Sequence, residues 1–290
     1  MHFMNIGHTY QNAARFVQAM TGKAPTLEEL PSSYRAAISA PELRPMPITH
    51  EGLNISYEDG TWARYCAENG VFPHIFRGAG PTDGPTREAW DSNILDALSL
   101  IRRINPDLRT MVDFMVSDVV VLNSGTDGGG SASQLPGLVV MSPGATWTTL
   151  DYAMCLVHEG LHLNLFLGDA VHRTFYLTSV ELEADEHRAL SAVKIGQRRP
   201  LDKAFHAAAV TVPLMYMEDH QGETTLVDLY TASLKDACAD LRKQREKFTP
   251  YGRLLLDELT AWGENIDFPH AARTISEPGY ASYAPARAAA

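Results

Sequence analysis

From Thr110 to His172 the sequence contains neither lysine nor arginine. A stretch that long without a basic side chain is suited to an interior, because lysine and arginine are almost never fully buried unless paired. Within it, Met111 to Leu122 reads as one strand and Gly137 to Ser142 as a second. A helix follows, with Thr148 or Thr149 as its cap, Asp151 in its first turn and Gly168 as its expected stop. Its apolar residues, among them Met154, Leu156, Val157, Leu161, Leu165 and Phe166, lie nearly all round the axis, which predicts burial. These features together predict an α+β fold, predominantly helical, with a buried helix packed on a small central sheet.

That helix carries His158-Glu159-Gly160-Leu161-His162, the HExxH pattern. Positions i and i+4 of a helix share a face, so His158 and His162 are placed to grip one divalent ion. The bland alternative is a pair of core histidines bonded to their neighbours. A buried helix holding two imidazoles and a carboxylate needs compensation for those polar groups, and a metal supplies it.

The rest of the chain reads as helices with short connectors. Helices are expected over 9–20 and 26–39, with Thr26 and Glu29 at capping-box spacing. Residues 48–80 are mixed, and the loop Arg77-Gly78-Ala79-Gly80-Pro81 lacks the lysine and hydroxyl of a phosphate loop. A stronger helix is predicted from Thr86 to Ile104, closed by Asn105-Pro106. Ser124 to Ser133 is rich in glycine and serine, and reads as a flexible connector or a flap beside the metal. Further helices are expected from Thr178 to about Gly196, from Pro200 through His206 with a kink at Pro213, from Thr225 to Phe248, and from Pro250 to Trp262. Residues 1–263 are read as a single metal-dependent catalytic domain and 264–290 as a loosely held tail.

The formal net charge of −11 argues against a nucleic-acid partner, which would favour a basic face. No apolar run is long enough to span a bilayer, and the start lacks a basic signal-peptide pattern. Cys66, Cys155 and Cys238 are far apart and form no CxxC pair, so no disulfide framework is expected. A soluble cytoplasmic protein is the expectation.

Two histidines leave a catalytic metal short of at least one protein ligand. Glu181 and, one turn on, Asp185 give the HExxH, gap, ExxxD arrangement, which resembles the gluzincin metallopeptidases. Yet Thr178-x-x-Glu181 is also a capping box, which would occupy that carboxylate. His206 is the other candidate, with a buried structural histidine as its bland reading.

Three segments resemble the HExxH-type peptide β-hydroxylases found with ribosomally made peptide natural products. They are Leu135-Pro136-Gly137-Leu138-Val139, the motif segment Leu156 to His162, and Arg198-Arg199-Pro200-Leu201-Asp202-Lys203-Ala204-Phe205-His206, and the likeness spans roughly residues 110–220. The resemblance implies an Fe(II) enzyme that uses 2-oxoglutarate and dioxygen to hydroxylate a side chain, expected at a β-carbon, of a precursor peptide. His158, His162 and His206 would hold the iron, with Glu181 as the alternative third ligand. Arg199 or Arg188 would pair with the far carboxylate of the oxo-acid. Glu159 would act beside the metal as an acceptor that orients a ligand or water. The runner-up is a zinc metallopeptidase in which Glu159 activates water. A non-catalytic peptide-binding protein with a degenerate site is the third reading.

Overall fold

The computed structural model describes residues 1–278. In chain order its elements are α1 (Ile6–Thr21), α2 (Leu30–Ile38), β1 (Asn54–Ser56), α3 (Thr61–Glu68), α4 (Pro73–Phe76), α5 (Gly84–Ile104), α6 (Pro106–Met115), β2 (Asp118–Val121), β3 (Gly128–Ser131), β4 (Leu138–Ser142), α7 (Thr149–His172), α8 (Ser179–Leu182), β5 (Arg188–Leu190), β6 (Arg198–Pro200), α9 (Leu201–His220), α10 (Thr225–Arg242), α11 (Pro250–Glu264) and α12 (Phe268–Ser276). The fold is α+β and mostly helical, with a small mixed sheet. No helix among the described residues is long and apolar enough to cross a membrane. The chain divides into two compact units, one of residues 17–163 and one of residues 1–16 with 164 onward.

The unit of residues 17–163 is built on a four-stranded sheet in the order β1-β2-β4-β3. β1, β2 and β4 run parallel, and β3 closes one edge antiparallel to β4. β2 and β4 are buried at every residue, as strands covered on both faces are. One face packs Val120, Leu138 and Val140 against Trp62, Cys66 and Ile75 from α3 and α4.

A buried ion pair pins the sheet's first end. Arg44 Nη2 lies 2.6 Å from Asp118 Oδ2, and the same guanidinium donates to Ser117 Oγ and to the Pro136 carbonyl. Asn54 donates to the other Asp118 oxygen at 2.9 Å. Despite its burial, the Asp118 carboxyl is held below the usual range, because Asn54 and Arg44 donate to it. Gly137 has a φ of +82°, and an added Cβ would stand 2.6 Å from Ser117 Oγ and 2.9 Å from Arg44 Nη1. The Leu-Pro-Gly segment thus has a structural task at this hub.

In the other unit α9 is the centre, buried from Ala204 through Glu218. α10, α11 and α12 pack on it, and the β5–β6 hairpin lies against α9 and α10. Pro213 stands inside α9, which runs on to His220.

Several expectations are corrected. Residues 110–115 are helical, and the strand begins at Asp118. Asn105 both ends α5 and caps α6, accepting from the N–H groups of Asp107 and Leu108, while Pro106 suits a first turn. Leu108, Met111, Val112 and Met115 then fall at helical spacing and are buried. The helix expected from Thr178 stops at Leu182, and the chain turns into the hairpin, with Ala189 fully buried opposite Arg199. The helix expected from Thr225 to Phe248 ends at Arg242, and a separate 3-10 turn follows at Arg245–Lys247. The expected tail is a helix over Phe268–Ser276, with Ala271, Thr274 and Ile275 buried. Asn5 donates to the carbonyls of Thr274 and Glu277, which fixes that helix's end. Residues 279–290 lie outside the described residues. The Thr26–Glu29 capping box forms as expected.

Candidate metal centre

The HExxH motif sits on α7. Thr148 and Asp151 open this helix reciprocally. The Thr148 N–H donates to Asp151 Oδ2 at 2.6 Å, and the Asp151 N–H donates to Thr148 Oγ1 at 3.4 Å. Gly168 does not end the helix, which runs to His172 and breaks where Arg173 takes a φ of +56°. Gly168 serves packing instead, since a Cβ there would stand 2.7 Å from the Tyr251 hydroxyl.

Between Tyr152 and Leu163 every residue is buried except Met154, His158 and His162. These stand four apart, so they form one stripe along the helix. The histidines therefore occupy the open stripe of this otherwise buried stretch of the helix. Their Nε2 atoms are 3.0 Å apart and their rings are near-perpendicular, at 72°. Two imidazole nitrogens each about 2.1 Å from one ion and about 90° apart would be separated by about 3.0 Å. The same distance also suits a hydrogen bond from one ring to the other in the metal-free chain. The donor set and its spacing fit a divalent ion.

Glu159 points to a different side and is 4% exposed. Its Oε2 accepts from the Ser131 hydroxyl at 2.7 Å, and its Oε1 lies 3.9 Å from His158 Nε2. Burial pushes the carboxyl up to about 7, and the Ser131 hydrogen bond pulls the other way. The glycine-rich stretch that read as a connector or flap contains β3, the edge strand, and this strand lies over α7. A Cβ on Gly129 would stand 2.7 Å from Cys155 Sγ and 3.0 Å from Glu159 Oε1. On the other side of α7, Gly160 faces Val112 and Val116 of the α6 segment at ordinary contact distance.

The remaining expected site residues belong to the other unit. Glu181 is held by its capping box. Its Oε2 accepts from the Thr178 N–H at 2.7 Å and from the Thr178 hydroxyl at 2.8 Å. Those bonds hold its carboxyl below the usual range. Asp185 pairs with Arg188 at 2.9 Å. His206 is buried on α9 beside the Phe166 ring, 5.1 Å between centroids, and burial lowers its imidazole to about 4. It is therefore neutral at ordinary pH, the form in which histidine ligates metals. Arg199 is half-buried on β6 and makes no ion pair with another described residue. Among the described residues no group of three or more His, Cys, Asp and Glu side chains is gathered as one metal would require. What the fold brings together is the pair His158 and His162 with Glu159 beside it. Ser131 and Gly129 were missed in the sequence, where only the composition of their segment was visible.

No protein-family model matches the chain, and no curated protein matches its sequence.

Proposed function

We propose that this protein is a metal-dependent enzyme, with His158 and His162 as ligands to one divalent ion and Glu159 working beside it. The observation that carries this reading is the pair of Nε2 atoms 3.0 Å apart on the open stripe of α7. Within that class we propose Fe(II)/2-oxoglutarate-dependent hydroxylation of a peptide side chain, in keeping with the family resemblance. When bound, iron and the oxo-acid supply the oxidising chemistry. His158 and His162 hold the ion. His206, buried and neutral, is proposed as the third ligand, and Arg199 as the partner of the oxo-acid's far carboxylate. Glu159 presents Oε1 towards His158 and holds its place through Oε2.

The zinc-peptidase reading shares the two histidines and gives Glu159 a general base's task. What tells against it here is the state of Glu181, whose Oε2 already accepts two hydrogen bonds from Thr178. The test is anaerobic reconstitution with Fe(II) and 2-oxoglutarate, admission of oxygen, and mass spectrometry of succinate. Iron-dependent succinate release is expected, persisting as uncoupled turnover in Glu159→Gln. Peptide cleavage by the zinc-loaded protein, stopped by Glu159→Gln with no succinate formed under iron, would overturn the oxygenase assignment in favour of the peptidase. A wild-type protein that takes up neither metal in stoichiometric amount would overturn both.

A further inference from the structure

We infer that β3 is a seat for Glu159, with Ser131 as its positioning residue and Gly129 as the gap that admits the carboxylate. This rests on the reading of His158, Glu159 and His162 as a metal centre. Residues two apart on a strand share a face. Gly129 and Ser131 are such a pair, and both meet Glu159. Gly130, between them, faces the other way, where a Cβ would stand 2.9 Å from the Phe72 ring and 3.0 Å from Ile75 Cδ1. One face of the strand is therefore given to the carboxylate and the other to the apolar core.

The two contacts divide the carboxylate's work. Ser131 Oγ donates to Oε2 at 2.7 Å, which leaves Oε1 as the oxygen facing His158, 3.9 Å from its Nε2. Gly129 allows Oε1 to lie there, since a side chain would bring a Cβ to within 3.0 Å of it. A buried glutamate has several rotamers within reach, and without a fixed donor its two oxygens are interchangeable. The hydroxyl removes that ambiguity. The edge position of β3 also matters. The strand is held by β4 on one side, so its alignment over α7 depends on the register Gly129↔Met141 and Ser131↔Val139. The seat is built by sheet pairing, and it acts on the metal centre through Glu159 alone.

The test uses the full chain labelled with [5-¹³C]glutamate. The Glu159 carboxyl resonance is identified by its absence in Glu159→Gln, in metal-free protein. Ser131→Ala is expected to move that resonance and Ser131→Thr to return it, because threonine keeps the hydroxyl and suits a strand. Ser131→Cys, close in size with a weaker donor, carries the same test if the alanine variant fails to fold. In Co(II)-loaded protein, Ser131→Ala is expected to shift the visible bands with cobalt still bound one to one. Its turnover number is expected to fall about ten- to hundredfold, the range for losing a hydrogen bond to a charged group. Gly129→Ala is expected to displace Glu159 with Ser131 intact and to give the same spectral change. An unmoved carboxyl resonance and unchanged cobalt bands in Ser131→Ala would overturn the seat. A wild-type protein that binds no cobalt would instead overturn the metal reading, and the carbon resonance would still decide the seat.

Discussion

Each unit of this protein carries a helix with a histidine and a polar residue four positions on, and the two pairs have opposite characters. In one unit, His158 and His162 lie on the open stripe of α7. In the other, His8 is 1% exposed on α1, with Asn12 one turn further. His8 Nε2 is 3.1 Å from the Tyr251 hydroxyl and 3.2 Å from Asn12 Nδ2. Asn12 Oδ1 is 3.0 Å from His172 Nε2, which Arg15 also reaches at 3.1 Å. These side chains form a buried network, and its imidazoles are held neutral. Burial is the chief cause, lowering His8 to about 3 and His172 to about 4, with Arg15 adding to both. Spacing on a helix is the same in the two cases. What separates the two pairs is burial, since His158 and His162 are half-buried whereas His8 and Asn12 are buried.

The largest expected effect breaks the comparison outright. His158→Ala and His162→Ala each reduce bound metal to well below one ion per chain by elemental analysis, with helical circular dichroism kept. His8→Gln and His172→Gln keep the metal and lose stability, by about 1–3 kcal/mol for polar partners left unsatisfied in a buried site. Stoichiometric metal in either α7 variant would show that the pair is no more a ligand set than His8 and Asn12 are. His206→Ala sharpens the same contrast. It lies on the borderline, a buried neutral imidazole in the unit that holds the network, and as a ligand its removal weakens iron binding and changes the spectrum of the iron–oxo-acid complex. If metal content and spectrum stay as in the wild type, His206 joins His8 as structural.

A smaller effect follows from titration of the network. An unfolded histidine takes up its proton near pH 6.5, whereas His172 and His8 in the fold wait until about 4 and about 3. The unfolded chain therefore binds protons first. Stability from these two residues is full above about pH 6.5, is lost as pH falls towards those lower values, and does not return below them. Each contributes a slope of at most about 1.4 kcal/mol per pH unit in that window. Urea unfolding of the metal-free protein at pH 7, 6 and 5 measures it. His8→Gln is expected to show the shallower slope, and an unaltered slope would remove His8 from the account.

Much of α7 was legible, because its signals are local. The Thr148–Asp151 opening, the apolar residues all round and the i, i+4 histidines need no knowledge of the rest of the chain. The strand at Leu138–Ser142 was legible for the same reason. The stretch from Met111 to Met115 was not, because its apolar residues satisfy either period over so few positions, and the Asn105 side chain decides for helix by capping it. The glycine-rich segment was misread because β3 has no side chains that mark a strand. Its pairing with β4 is long-range, and so is the Ser131 hydrogen bond to Glu159. Composition shows that Gly129 has no side chain, whereas only the fold shows that Glu159 fills that space.

The smallest expected effect belongs to Glu181, the carboxylate whose sequence spacing most resembles a third ligand. Its state in the fold is that of a helix cap. It is exposed, it accepts two hydrogen bonds from Thr178, and the Thr178 hydroxyl accepts the reciprocal bond from its N–H at 3.3 Å. A glutamine side chain can accept in the same place, so Glu181→Gln is expected to leave stability close to that of the wild type. Thr178→Ala removes the cap itself and is expected to lower stability by about 1 kcal/mol. Neither is expected to alter bound metal, because neither removes a ligand. Thermal unfolding read beside elemental analysis separates the alternatives. A Glu181→Gln protein that melts like the wild type yet has lost its metal would assign the carboxylate to the ion. It would also break the contrast between the two units from the opposite direction, since a side chain held by its own helix through Oε2 would then have left that helix to bind.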